Sequence, residues 1–117
     1  MRVRRVLTAT HGGSVLACAC DRSSRFFASG SVDHSVAMWS LDRKDAYPKL
    51  WEGRHGAYVQ DVQFSSDSLL LASVGGDRIC RVWDVETGTT THILRTSGAL
   101  TLVRFSPCCK RVMAGGL

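Results

Sequence analysis

Short runs of apolar and β-branched residues alternate with polar turns along most of the chain. The first set of runs covers residues 15–20, 25–29, 35–40 and 47–51, and the second covers 59–64, 69–73, 79–83 and 90–94. Aspartate, serine and glycine separate the runs, which is typical of short strands joined by tight turns. The pattern predicts an all-β chain with two four-stranded antiparallel sheets.

Several of these runs are apolar at consecutive positions instead of alternating. Val15, Leu16, Ala17 and Cys18 follow one another in the first run. A strand that is apolar on both faces is expected where its sheet is covered on both sides. We therefore expect each sheet to lie between neighbouring sheets.

The chain is similar to itself at a fixed spacing. The segment HGGSV at 11–15 returns as HGAYV at 55–59, FASGSVD at 27–33 returns as LASVGGD at 71–77, and Trp39 returns as Trp83, each displaced by 44 residues. A third copy begins at a shorter spacing, because Phe105 follows Phe64 by 41 residues. Three matches at one spacing indicate a structural repeat.

A four-stranded unit of roughly 40–45 residues, with histidine near its start and tryptophan near its end, resembles a blade of the WD-repeat β-propeller family. The second unit carries Arg54-His55 and Trp83-Asp84, and the first carries Thr10-His11 and Trp39-Ser40. Both lack the glycine that commonly precedes the histidine. The resemblance implies an incomplete propeller of about 2.5 blades.

The resemblance also divides the chain. Residues 1–10 are expected to form the outer strand of a preceding or closing blade, 11–53 the first blade, 54–95 the second and 96–117 part of a third. A propeller closes with roughly 4–8 blades. We therefore expect the chain to need further blades or a second copy of itself to cover its exposed sheet faces.

The family resemblance implies a buried hydrogen-bond network in each complete blade. A buried aspartate needs donors for its oxygens, and imidazole, hydroxyl and indole groups can supply them. In the third copy, Thr96 and Ala114 replace the histidine and the serine, so this network is not expected there. The implied sets are His11, Ser29, Asp33 and Trp39, and His55, Ser73, Asp77 and Trp83.

Histidine, serine and aspartate are also the residue types of a hydrolase catalytic triad. However, the set occurs twice and ends on tryptophan, and no G-x-S-x-G elbow is present. The repetition favours a structural role. We expect no enzyme activity, no catalytic residues and no small-molecule substrate.

The resemblance places partner contacts on the face formed by the loop before the first strand and the turn between the second and third strands. Tyr58 is the strongest candidate anchor, because an exposed aromatic side chain suits a protein interface. The alternative is that its ring lies over its own loop. The expected contact residues are Ser14, Leu16, Val32, His34, Tyr58, Gln60, Gly76 and Arg78.

The net charge of +5 leaves two functional readings open. The first is a protein–protein interaction scaffold that nucleates a multiprotein complex through proteins or peptides. The alternative is an RNA-associated propeller subunit of a nucleic-acid-processing particle. That alternative requires Arg54, Arg78 and Lys110 to converge on one face, and the scattered basic residues make a nucleic-acid partner the weaker expectation.

Five cysteines and the lack of a long apolar segment complete the sequence picture. The cysteines show no C-x-x-C spacing, so we expect no metal site and no cofactor. Cys18, Cys20 and Cys80 are expected to be small buried hydrophobic residues. With no membrane span or secretory signal recognised, the expected location is intracellular, either cytoplasmic or nuclear.

Overall fold

A computed structural model describes residues 12–41 and 48–116 of the chain. Its strands form two four-stranded antiparallel sheets, β1-β2-β3-β4 and β5-β6-β7-β8, and a two-stranded sheet of β9 and β10. The all-β prediction is confirmed. The predicted leading strand before His11, and His11 itself, lie outside the described residues. The strands are β1 Val15–Cys20, β2 Phe26–Ser31, β3 Ser35–Ser40, β4 Lys49–Arg54, β5 Val59–Phe64, β6 Leu70–Gly75, β7 Ile79–Asp84, β8 Thr90–Arg95, β9 Leu100–Phe105 and β10 Val112–Gly116.

Several strand boundaries differ from the prediction. Strands β2 and β6 each run two residues further, to Ser31 and Gly75, because their backbone pairing with β1 and β5 continues to those residues. The fourth strand was predicted at 47–51 but spans Lys49–Arg54. It is the outer strand, and backbone pairing with β3 sets its length although its side chains are largely exposed.

The second sheet has apolar contacts on both faces. On one face, Leu71 and Trp83 lie in a core shared with residues of the first sheet such as Met38. On the other, Val74 joins a core that includes Val103 of β9. The expectation of a sheet covered on both sides therefore holds for this blade.

Strand β1 does not follow that expectation. It packs on β5 through partly buried Ala17 and Ala19. Cys18 and Cys20 are exposed, so the prediction that they are buried was wrong. The reason is that, among the described strands, β1 contacts mainly its sheet partner β2 and, on one face, β5. Side chains on its other face are therefore exposed to solvent. Cys80 is buried as predicted, and burial raises the pKa of its thiol to about 11.

The seam between the second sheet and the β9–β10 hairpin contains hydrogen bonds that the sequence did not predict. Asp61 Oδ2 accepts from Val103 N at 3.0 Å and from Arg104 Nη1 at 2.6 Å. Gln63 Oε1 accepts from Phe105 N at 2.7 Å. Alanines occupy the two equivalent positions of β1. The contact of β1 with β5 therefore relies on apolar packing at the positions where the contact of β5 with β9 uses polar side chains.

Candidate partner-binding face

The predicted contact residues lie at one end of the two four-stranded sheets, which we call the turn face. It carries the loops before β1 and β5 and the turns β2–β3 and β6–β7, which antiparallel order brings to the same end. Val32 N donates to Ser14 O at 2.9 Å, and Gly76 N donates to Tyr58 O at 3.0 Å. The loop and the turn are therefore adjacent in both blades.

Leu16 and Gln60 occupy matching irregular positions on this face. The pairing of β1 with β2 shifts between Val15 and Ala17, and that of β5 with β6 shifts between Val59 and Asp61. A bulge redirects the side chain of the extra residue. Leu16 is exposed and Gln60 is half-buried.

The second blade contains a continuous hydrogen-bond network beneath the turn face. Trp83 Nε1 donates to Ser73 Oγ at 2.8 Å, and Ser73 Oγ lies 2.6 Å from His55 Nε2. His55 Nδ1 lies 2.9 Å from Asp77 Oδ2. Gly56 N also donates to Asp77 Oδ2 at 3.0 Å. The geometry brings together all four residues of the set implied by the sequence.

The donors and acceptors of this network fit a neutral imidazole. The Ser73 hydroxyl accepts from the indole, so its own hydrogen is free to donate to His55 Nε2. The other ring nitrogen then donates to Asp77. Burial lowers the pKa of His55, although the Asp77 carboxylate opposes this shift. The histidine therefore remains neutral near pH 7 and fixes the loop onto the turn.

In the first blade, the described part of the equivalent set has the same arrangement. Trp39 Nε1 donates to Ser29 Oγ at 3.1 Å. The Asp33 carboxylate accepts from Gly12 N at 2.7 Å and from Ser35 N at 3.0 Å. Hydrogen bonds to Ser35 and neighbouring groups hold the pKa of Asp33 well below its usual range, against the opposing effect of burial.

In the third copy, Thr96 makes a different contact. Its backbone N donates to Arg78 O at 2.9 Å, just as His55 N donates to His34 O in the preceding unit. Its hydroxyl donates to the same Arg78 carbonyl at 3.0 Å. The threonine thus links the end of β8 to the β6–β7 turn without an imidazole. Ala114 pairs with Val103 at the register position where Ser73 pairs with Val62.

The His55 environment has the connectivity of a hydrolase triad but not its accessibility. A serine and an aspartate lie on opposite ring nitrogens, as general-base catalysis requires. However, Ser73 is fully buried and its oxygen also accepts from Trp83. A substrate cannot reach this hydroxyl in the folded blade. The geometry therefore favours a structural network.

Apolar side chains remain exposed on the turn face after these polar groups are paired. Val32 is 46% exposed and Tyr58 is 37% exposed. The Tyr58 ring lies against Gly76, where an added Cβ would meet ring atom Cε1 at 2.3 Å. The Tyr58 ring therefore lies over the adjacent β6–β7 turn and not over its own loop, and part of the ring still faces solvent.

The basic residues named for the nucleic-acid alternative do not converge. Arg78 lies in the β6–β7 turn on the turn face, and Arg54 Nη2 donates to Asp33 O at 2.9 Å on the same face. Lys110 lies in the β9–β10 turn at the opposite end of the blades, beside the β5–β6 turn. The geometric condition of the nucleic-acid alternative is therefore not met. The contact of Arg54 with the preceding turn was not predicted, and its position directly before His55 is the signal that could have indicated it.

Within residues 12–41 and 48–116, no group of three or more histidine, cysteine or acidic side chains is placed to hold a metal ion. The same residues contain no helix with the length and apolar character to cross a membrane.

Comparison with known proteins agrees with this architecture. The family described as "WD domain, G-beta repeat" matches residues 2–40 and 49–84. The chain is 28% identical to the guanine nucleotide-binding protein subunit beta-1 of Drosophila melanogaster over 86% of its own length and 30% of that protein. It is 32% identical to apoptotic protease-activating factor 1 of Rattus norvegicus over 98% of its length and 10% of that protein.

A third relative is the small ribosomal subunit protein RACK1 of Candida albicans, which is 40% identical over 55% of the chain and 22% of its own length. The chain spans less than a third of each of these relatives. The family match covers more than half of the chain and includes strands β1 to β7 of the two four-stranded sheets. The chain belongs to the WD-repeat family.

Proposed function

We propose that the chain is part of a protein-interaction scaffold and that its turn face binds a protein partner within a multiprotein complex. The observation that carries this proposal is the combination of exposed apolar side chains with turns fixed from beneath. Val32 and Tyr58 are exposed, while Asp77 below them is held by His55 and two backbone donors. Recognition residues on loops are effective when a rigid framework positions them.

The relatives support the general class of this function. WD-repeat proteins such as the G-protein β subunit and RACK1 generally act as scaffolds that bind other proteins. Such proteins are typically not enzymes, and we extend that property to this chain.

The charge of the turn face adds to the description of the partner. His34 and Arg78 follow the turn aspartates with positive backbone φ angles of 78° and 64°, and both are exposed. The neighbouring Asp33 and Asp77 carboxylates are already occupied by backbone and side-chain donors. A partner surface with apolar and acidic residues fits this face best.

Site-specific photo-crosslinking in cells tests the proposal. A photoreactive phenylalanine analogue at position 32 or 58 is expected to form defined protein adducts. The matched control is position 69, because Leu69 is 58% exposed but lies in the β5–β6 turn at the opposite end. Adducts confined to position 69, or no adducts at 32 and 58 in folded protein, would contradict the proposal.

Point variants then measure how much the turn face contributes to the free energy of partner binding. Tyr58→Ala is expected to weaken binding of the crosslinked partner by about 1–2 kcal/mol or more, as for an aromatic interface anchor. Leu69→Ala is the control and should leave affinity unchanged. Equal effects of the two variants would remove the assignment to the turn face. We further propose an intracellular site of action, which imaging of the tagged full-length protein would check.

A further inference from the structure

The first and second blades are built alike on the side that each presents to the following blade. Gly53 of β4 pairs with Val36, and Leu94 of β8 pairs with Cys80. Val36 and Cys80 are equivalent because they are 44 residues apart, which is the spacing of the repeat. The two sides can therefore be compared position by position, with Leu94 in the place of Gly53.

On the first blade, this side is covered by β7 of the second blade. The Trp83 ring lies directly over Gly53, where an added Cβ would be 2.3 Å from ring atom Cη2. Trp83 Nε1 donates to Ser73 Oγ of the adjacent strand β6 at 2.8 Å. The tryptophan therefore depends on the missing side chain at Gly53 and on the hydroxyl of Ser73.

On the second blade, the equivalent side is a groove that we call the open groove. Among residues 12–41 and 48–116, β10 pairs with β9 alone, so no strand lies where β7 lies in the preceding blade. Leu94 is 48% exposed there. The first blade shows what covers such a side, namely an antiparallel strand paired with the second strand of the next blade. The residues that line the open groove include Leu70, Val82, His92, Leu94, Phe105 and Val112.

The open groove lacks both features on which Trp83 depends. Leu94 fills the place of Gly53, so an indole at this position would overlap the leucine side chain. Ala114 takes the register position of Ser73, so the indole N–H would have no hydroxyl as acceptor. Overlap in a filled space and a buried donor without a partner both oppose binding. A strand that fits the open groove therefore carries an aliphatic side chain in this place.

The edge of the open groove also favours a charge of one sign. In the second blade, Asp84 follows Trp83 and pairs with Leu70. Arg111 is the counterpart of Leu70, because both residues accept the same backbone hydrogen bond at the end of the turn. Arg111 and the preceding Lys110 are both exposed. An acidic residue in the place of Asp84 would form an opposite-charge pair across the strands.

We propose that the open groove binds one further β-strand, antiparallel to β10, with an aliphatic residue in the place of Trp83 and an acidic residue in the place of Asp84. Addition of a strand to an exposed sheet edge is a recurrent mode of peptide recognition. The strand belongs to a polypeptide segment other than residues 1–117. Residues 1–11 of a second copy do not fit the basic edge, because they contain three arginines and no acidic residue.

The test uses the full chain and two synthetic peptides with the sequence of residues 77–86, one native and one with Trp83→Leu. Fluorescence anisotropy of the labelled peptides under reducing conditions measures binding. The chain is expected to bind the leucine peptide at least about tenfold more tightly than the native peptide, because the indole overpacks the groove. Equal binding of the two peptides, or no binding of the leucine peptide, would overturn the proposal.

Hydrogen exchange locates the bound peptide, and a charge change in the peptide tests the basic edge. The leucine peptide should protect the amides of Val112–Gly116 and leave those of Lys49–Arg54 unchanged. Adding Asp84→Lys to the leucine peptide should weaken binding by about threefold or more, because like charges then meet across the strands. Protection elsewhere than in β10 would overturn the assignment to the open groove.

Variants of the chain test the origin of the preference. Leu94→Gly combined with Ala114→Ser recreates the side seen on the first blade and should make the native peptide the tighter ligand. Leu94→Ala alone, which disturbs β8 less, should narrow the difference between the peptides to less than about threefold. Ile93→Ala is the matched control, because Ile93 is 44% exposed and adjacent strand residues point to opposite faces. A preference that Leu94→Ala leaves unchanged would refute the size argument.

A second copy of the chain is the competing occupant. Analytical ultracentrifugation with and without the leucine peptide distinguishes the two cases. A complex of one chain with one peptide supports the proposal. A dimer that saturating peptide does not dissociate, but that Leu94→Lys disrupts, would assign the open groove to a second copy and overturn the proposal.

Discussion

Replacing Ser73 with alanine removes one hydroxyl from the centre of the second blade and leaves two polar groups without a partner. The hydroxyl accepts from Trp83 Nε1 at 2.8 Å and lies 2.6 Å from His55 Nε2. All three residues are buried, so water does not replace the lost hydrogen bonds. A buried polar group without a partner costs about 1–3 kcal/mol. Ser73→Ala leaves two such groups and is therefore expected to lower the free energy of unfolding by about 2–6 kcal/mol.

A double-mutant cycle with Trp83→Phe tests the origin of this loss. Phenylalanine lacks the indole N–H, so Ser73→Ala in the Phe background leaves one fewer unpaired group. The loss in that background should be smaller than in the wild type by about 1–3 kcal/mol. Trp39 and Trp51 remain as fluorescent reporters of unfolding in the Phe background.

Urea titration followed by tryptophan fluorescence and circular dichroism measures all four proteins of the cycle. Ser97→Ala serves as a control because Ser97 is exposed in the loop between β8 and β9. The interpretation fails if Ser73→Ala changes the unfolding free energy by less than about 0.5 kcal/mol, the usual range for surface substitutions. Additive losses in the cycle would show that the indole and the hydroxyl do not interact.

Two further predictions concern His55 and a glycine of β4 that lies against Trp83. Burial lowers the pKa of His55, so the unfolded chain binds the proton more readily. The contribution of neutral His55 to the free energy of unfolding is fully present above about pH 6.5. It is lost as the pH falls from there toward the pKa of His55 in the folded chain. Thermal melts from pH 8 to 5 should therefore show a falling stability. His55→Gln should reduce this pH dependence, whereas the control His34→Gln, at an exposed turn histidine, should not. Gly53→Ala places a Cβ 2.3 Å from Trp83 Cη2 and should cost about 1–3 kcal/mol in urea titrations. Gly115→Ala, with no atom within 4 Å of the new Cβ, should be neutral, and equal losses for both glycine variants would exclude the clash.

Repetition in the sequence made most of the fold predictable. The spacing between His11 and His55 and between Trp39 and Trp83 is the same, and each strand lies within a few residues of its predicted position. The boundaries were less predictable where side chains do not determine pairing. Residues 52–54 contain glutamate, glycine and arginine, yet they belong to β4 because backbone hydrogen bonds to β3 continue through them.

Contacts between repeats were not predictable from the pattern within one repeat. Asp61 bonds to β9, and this contact depends on the packing of one blade on the next. The exposure of Cys18 and Cys20 also depends on contacts between repeats, because among the described strands β5 packs on only one face of β1. An apolar sequence indicates that burial is favourable, but the neighbouring sheet decides whether burial occurs.

Differences between equivalent positions indicate where one blade can acquire a chemistry that the others lack. The turns containing Ser23, Asp67 and Cys108 share the same backbone hydrogen bond and the same positive φ at the next residue. The fold therefore constrains the backbone there and leaves the exposed third side chain free to vary. A serine hydroxyl and an amide that stabilise a carboxylate also stabilise a thiolate, because both are anionic acceptors. The Ser106 hydroxyl and the Lys110 amide accordingly lower the pKa of the Cys108 thiol, as the Ser65 hydroxyl and the Leu69 amide lower that of the Asp67 carboxyl.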